Sequence, residues 1–251
     1  MTEEIPVRYA QALAIGFDPG WRRQPDAALE ADISAFVEAE ARAADDGVAG
    51  VCYSTLGLKP GCEVLLWRVG PTVEALQAAA ARLLRSGAGR WADVRHALLG
   101  QLRGSQYVRK PSGQDQASLV DDPARYLVVY PFTKSTEWYL LGRDARQGIM
   151  NEHMRIGHDY ASVRQALAYS FGLDDQDFVV AYATDDLVAF GDLVRELRGS
   201  DSRRSTIRDT PLLLGARRSA VDILVDLAGA AGPATAGRAA ADRRPTPSPA
   251  S

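Results

Sequence analysis

Cysteine is scarce in this sequence: two of 251 residues, Cys52 and Cys62. They form no CxxC pair and have no histidine at zinc-ligand spacing, which excludes a zinc finger and a disulfide framework. Each sits in an apolar, strand-like run, so both are read as buried, reduced thiols. No run of about 18 apolar residues occurs, so no membrane-spanning helix is expected. Basic residues are not in excess: 29 Lys and Arg stand against 32 Asp and Glu, with a pI near 5.7. That leaves no electrostatic footprint for nucleic acid. The first residues, MTEEIPVRYAQ, lack the basic n-region and apolar stretch of a signal peptide, and the expected compartment is the cytoplasm. Histidine is also rare, with His96, His153 and His158 the only three.

What is present suffices for a sizeable core, since 46% of residues are hydrophobic and 24% charged. Large apolar residues are missing from the last stretch, 229–251, where Ala, Gly and Pro dominate. Such a segment cannot bury enough surface to offset its ordering entropy, and it is expected to be disordered. The remaining chain falls into two halves that read alike. In the first, 1–109, strand signals at Val7–Phe17, Val51–Leu56, Val64–Val69 and Val94–Leu102 alternate with helical periodicity at Asp26–Ala44 and Val73–Leu84. Lys59-Pro60-Gly61 marks a turn between the middle strands.

The second half, 125–228, repeats the order. Strands are expected at Tyr126–Pro131, Ala166–Phe171, Phe178–Tyr182 and Pro211–Leu214, and helices at Asp144–Tyr160 and Asp186–Arg198. Asp185 or Asp186 supplies the N-cap of the last helix. Each half is therefore βαββαβ, the ferredoxin-like arrangement, which makes the chain α+β. A connecting segment, 110–124, could join two independent domains. A sheet with helices on one face must cover its other face, however, which favours two packed halves.

His153 is the residue that suggests chemistry. It lies late in an amphipathic helix, in phase with Ile149, Met150 and Ile156, and so points towards the sheet. Burial in a core is one reading; ligation of haem iron, with the second ring nitrogen held by an acceptor, is the other. Three further motifs lie around it: YPFTKSTEWY, HMRIG, which begins at His153, and SFGLDDQDF. Together and in this order they resemble the chlorite dismutase-like family of haem proteins. The resemblance is dense from Tyr126 to Thr210 and looser from Leu56 to Tyr107, where GLKPGCEVLLWRV and GSQYV carry it.

The resemblance implies a dimeric α/β barrel of two ferredoxin-like halves in one subunit, and homo-oligomeric assembly, usually as a pentamer. It implies a bound haem, either haem b or coproheme, and a small oxidant as partner. Within the family motif His153 matches the proximal iron ligand. Asp201 falls where the family has an acidic acceptor for that histidine. Lys134 occupies a basic position near a propionate or that carboxylate, and Trp138 and Tyr139 match aromatic positions around the haem. Tyr130 stands where members that decarboxylate coproheme have a tyrosine that is oxidised to a radical and abstracts hydrogen from a propionate.

Chlorite dismutases place an arginine on the strand after the His153 helix, where its permanent charge suits an anionic oxidant. Counting in two directions puts the matching position at Gln165 or at Ala166, and neither is arginine. Arg164 is adjacent, but a one-residue step along a strand reverses the face. Actinobacterial-type decarboxylases use a distal histidine before the Tyr130 strand, and none occurs between Gln101 and Tyr130. Arg109 and Lys110 are candidate propionate anchors there. His158 is read as facing solvent or a propionate, and Asp174, Asp175 and Asp177 as turn chemistry. Three functions follow: peroxide-dependent oxidation with coproheme decarboxylation as the leading case, chlorite decomposition, and a non-catalytic haem carrier or sensor.

Overall fold

Alternation decides how each strand is used. The computed structural model describes residues 7–103 and 118–229. In β1 (Arg8–Phe17), Ala10, Ala12 and Ala14 face one way and Leu13, Ile15 and Phe17 the other, and all six are buried. A strand covered on both faces reads as a nearly continuous apolar run.

The helix α1 (Asp26–Ala41) leads to the hairpin β2 (Ala49–Lys59) and β3 (Cys62–Gly70). The expected turn lies between them, with Gly61 at φ 71°, a left-handed conformation that glycine adopts without penalty. α2 (Val73–Leu84) and β4 (Ala92–Leu102) complete the first half. The second half runs β5 (Tyr126–Lys134), the short α3 (Thr136–Leu140), α4 (Arg143–His158), β6 (Arg164–Tyr169), β7 (Phe178–Thr184) and α5 (Leu187–Arg198). A three-residue β8 (Thr206–Arg208), β9 (Leu213–Arg217) and α6 (Ala220–Ala228) follow. Asp186, not Asp185, caps α5 by accepting from the Val188 and Ala189 amides; Asp185 accepts from the Arg125 amide instead.

The strands of the first half are ordered β4-β1-β3-β2 and those of the second β9-β5-β7-β6. Both are the ferredoxin-like order, and the two sheets join edge to edge. Tyr53 and Ser54 of β2 pair with Arg217 and Ala216 of β9, and Gln101 and Leu102 of β4 pair with Tyr169 and Ala168 of β6. The result is one closed barrel of eight strands, which leaves no exposed edge among them. β8 lies outside the circuit, paired with the end of β5.

The lumen is filled by side chains. Alanines at 10, 12, 14, 166, 168, 181 and 183 lie against Leu65, Trp67, Leu127 and Val129. Cys62 points into this core while Cys52 packs on the outer one, so the two thiols lie on opposite faces and both are free. Leu119 and Ala124, from the segment between the halves, are buried in the same core, and the Trp67 indole donates to the Ser118 carbonyl at 2.7 Å.

Two layers of helix cover the outside. On the first half Leu29, Ile33 and Phe36 of α1 pack on Leu13, Ile15, Val64 and Leu66. Three elements go beyond the sequence expectation: α3, β8 and α6. Ile223, Leu224 and Leu227 of α6 join the α1 core, so the last helix lies on the first half although it follows the second. The sequence signals were present in Ser219, three residues before Asp222, and in Gly229, which ends the helix at φ 67°. Residues 230–251 of the tail, like Arg109 and Lys110, lie outside the described residues.

Candidate functional site

The outer face of the second half is built differently from that of the first. Strand alternation presents Val128, Tyr130, Phe132 and Lys134 of β5, Phe178, Val180 and Tyr182 of β7, and Gln165 and Leu167 of β6 on this face. Above it lie α4 and α5. α1 and α4 have equal length, 16 residues, yet α1 buries four residues and α4 only Ile156. Tyr130, Phe132 and Leu167 remain half-buried under α4 and α5, whereas Leu13, Ile15, Val64 and Leu66 on the matching face of the first half are buried. α4 therefore stands off its sheet, and His153 lies on the inner side of it.

The imidazole of His153 is held by one nitrogen. Its Nδ1 is 3.0 Å from Ser202 Oγ, which is 2.9 Å from Ser200 Oγ. Burial, with the Lys134 ammonium adding to it, pushes His153 down to about 4, so the ring is neutral at physiological pH. Asp201, expected as the acceptor, is not beside His153. Its side chain is 66% exposed and pairs with Arg204 at 3.3 Å, while its amide donates to Glu152. A tight 3-10 turn over Asp201–Ser205 turns Ser202 inwards and Asp201 out, a choice that spacing does not reveal.

Lys134 ties the site together. Its Nζ donates to the Ser202 carbonyl at 2.9 Å and to Thr206 Oγ1 at 3.1 Å, and sits 4.7 Å above the buried Trp138 ring. Burial and the neighbouring Arg203 lower the Lys134 amine to about 8. Trp138 thus packs beneath the lysine. Tyr139 lies on the flank, 39% exposed, with its hydroxyl donating to Asp177 at 2.7 Å and its ring against Phe171. Asp177 also accepts from the Lys134 amide. Asp174 accepts from the Asp175 amide and the Gln176 side chain within the turn.

Tyr130 stacks on Tyr182 with ring centroids 6.0 Å apart. Burial pushes both phenols above their ordinary value, so both stay protonated. The register also separates the two candidates on β6. Gln165 pairs with Tyr182 and shares the face of Leu167, whereas Ala166 faces the barrel lumen. Arg164 is held away by Asp122, whose carboxylate and carbonyl both accept from its Nη1. His158, at the end of α4, and His96, on β4, lie apart from the site; the former is exposed. One further residue was not singled out by motif. Arg146 lies seven residues before His153, about two turns along α4 on the same side. Its Nε is buried without a hydrogen-bond partner.

Comparisons with known proteins give the family and the fold. Residues 27–218 match the sequence model of the family described as Chlorite dismutase, and the chain belongs to that family. It is 31% identical over 176 residues to a coproheme decarboxylase of Mycolicibacterium smegmatis, covering 70% of this chain and 75% of that one. A chlorite dismutase of Ideonella dechloratans is 28% identical over 135 residues, covering 51% and 47% respectively. The fold matches that of chlorite dismutase from Candidatus Nitrospira defluvii in complex with imidazole, with a TM-score of 0.80 at 24% identity over 90% of this chain and 97% of that one. The family is one of haem proteins.

The residues present fit such a group. Among the described residues no three of His, Cys, Asp and Glu converge to hold a bare metal ion. His153 is instead a lone neutral imidazole, the donor set that suits a metal carrying its own equatorial nitrogens. The half-buried face beneath α4 is apolar and aromatic, and Arg146 offers an unpaired guanidinium nitrogen.

Proposed function

We propose that the chain binds an iron porphyrin between α4 and the outer face of β5, β6 and β7, and uses it for peroxide-dependent oxidation. Coproheme decarboxylation is the specific reaction the site supports best. The observation that carries this reading is that Tyr130 lies on the face beneath α4 and His153 on the inner side of that helix, with glutamine rather than arginine on that face of β6. The decarboxylase relative at 31% identity points the same way.

His153 would hold iron through Nε2, and Lys134, Trp138 and Ser202 would support it from behind. Arg146 would meet a porphyrin carboxylate, since a buried guanidinium nitrogen without a partner costs about 1–3 kcal/mol that such a contact would recover. Bound haem supplies the oxidising power of peroxide. Tyr130 would carry the hydrogen atom: its half-buried, protonated phenol would give one up and recover one from the propionate side chain of the substrate. Loss of the substrate's carboxyl group as carbon dioxide would leave a vinyl group and release two hydrogens in all, enough to reduce one peroxide to two waters. Tyr182, stacked on the Tyr130 ring, would orient it. Chlorite decomposition is less well supported, because Arg164 is turned away and bound to Asp122.

The test is to add coproheme and then hydrogen peroxide to the purified protein, and to follow porphyrin mass by chromatography. Stepwise loss of two carboxyl groups in the native protein, with binding retained and turnover lost in Tyr130→Phe, is the expected outcome. An unchanged or merely bleached porphyrin would sink the decarboxylase reading and leave a haem carrier or sensor. Stoichiometric porphyrin binding by His153→Ala would sink the site itself.

A further inference from the structure

We infer that Ser202 and Ser200 form a one-directional hydrogen-bond relay that locks His153 in the Nδ1–H tautomer and leaves its Nε2 lone pair for iron. The direction follows from counting protons. Ser200 Oγ lies 2.8 Å from the Leu197 carbonyl, which can only accept, so the Ser200 proton is committed there. Ser202 Oγ is 2.9 Å from Ser200 Oγ, and in that pair Ser202 must donate. Its single proton is then committed too. Towards His153 Nδ1, 3.0 Å away, Ser202 Oγ can only accept. Nδ1 therefore carries the proton, and a neutral ring has none left for Nε2.

The surroundings keep this order. Both serines are 4% exposed, so water competes poorly for either hydroxyl. The Lys134 ammonium donates to the Ser202 carbonyl at 2.9 Å and holds the residue in place. The relay ends on a backbone carbonyl in the last turn of α5, and no member of it is ionisable. A carboxylate in the same place would draw the Nδ1 proton and raise the basicity of Nε2. The two nearby carboxylates are engaged elsewhere: Asp201 is turned to solvent and paired with Arg204, and Glu152 accepts from the Asp201 amide. Iron held by this ring would thus be ligated by a plain neutral imidazole, with a higher reduction potential than a carboxylate-supported one. That consequence rests on the haem reading above; the tautomer does not.

Long-range proton–nitrogen correlation spectra of the full-length apoprotein at neutral pH read the tautomer directly, and three histidines make assignment by His153→Gln straightforward. Native protein should show Nδ1 protonated and Nε2 bare. Ser202→Ala should shift the population towards Nε2–H, and Ser202→Thr, which keeps the hydroxyl, should restore the native pattern. Nε2–H in the native protein, or an unchanged ring in Ser202→Ala, overturns the relay. With haem added, Ser202→Asp should lower the midpoint potential; an unmoved potential overturns the role assigned to Ser202. Haem binding that survives His153→Ala overturns the ligand assignment alone and leaves the tautomer result standing.

Discussion

At the residue scale the site is governed by what burial does to cations. His153 is held neutral and Lys134 is brought down to about 8, in each case chiefly because the charged form loses water. The Lys134 effect reaches stability. Between about 8 and its ordinary value of 10.5 the unfolded chain binds the proton more fully than the folded one, so this residue makes stability rise with pH. Below about 8 the fold carries the whole cost of the buried charge, and above 10.5 it carries none. Denaturant titrations at intervals from pH 8 to 10.5 should show a more positive slope for native protein than for Lys134→Met. Equal slopes would mean that the amine titrates as it does in water.

Elements differ in how far local signals specify them. α5 is set by its cap: Asp186 accepts from two amides of the first turn, and Asp186→Ala should cost about 1 kcal/mol in chemical denaturation. A loss well below that would mean that α5 is held by packing alone. α6 is the opposite case. Ile223 is fully buried against the first half, and Ile223→Ala should cost about 2–5 kcal/mol while leaving the second half's site intact. Porphyrin affinity measured on the same variant separates the two, and an equal loss of both would mean that α6 supports the site. α4 shows why a helix can be amphipathic and yet bury little. Its inner stripe, Arg146, Met150, His153 and Ile156, mixes charge with apolar groups; only Ile156 is fully buried and the other three are partly covered.

For the whole molecule the decisive contacts are the two seams that close the barrel. Each has a glycine where the strands approach most closely. A Cβ on Gly100 would stand 2.8 Å from the Ala168 side chain at the β4–β6 seam, and one on Gly215 would stand 2.6 Å from Tyr53 Cβ at the β2–β9 seam. Ser170 adds a 2.6 Å hydrogen bond to the Leu99 carbonyl across the first of them. Gly215→Ala should therefore destabilise the chain by about 1–3 kcal/mol, as overpacking does. A variant as stable as the native protein would show that the seam can open without cost. The pseudo-symmetric halves also predict a single porphyrin per chain, because the helix-covered face of the first half is filled by α1 and α6.

How much of this the sequence determined by itself depends on whether the information is local. Period-two and period-3.6 patterns, and the turn at Lys59-Pro60-Gly61, specified the duplicated βαββαβ order, because each rests on neighbours within a few residues. The candidates Tyr130, Lys134, Trp138 and His153 could be picked out because they sit in short contiguous motifs. Gln165 and Ala166 could not be separated until the pairing of β6 with β7 set which face each occupies, and pairing joins residues far apart in the chain. The same holds for Ser202 in place of Asp201. Their order in the chain says only that they are adjacent; the 3-10 turn between α5 and β8 decides which one turns inwards to meet an imidazole 49 positions earlier.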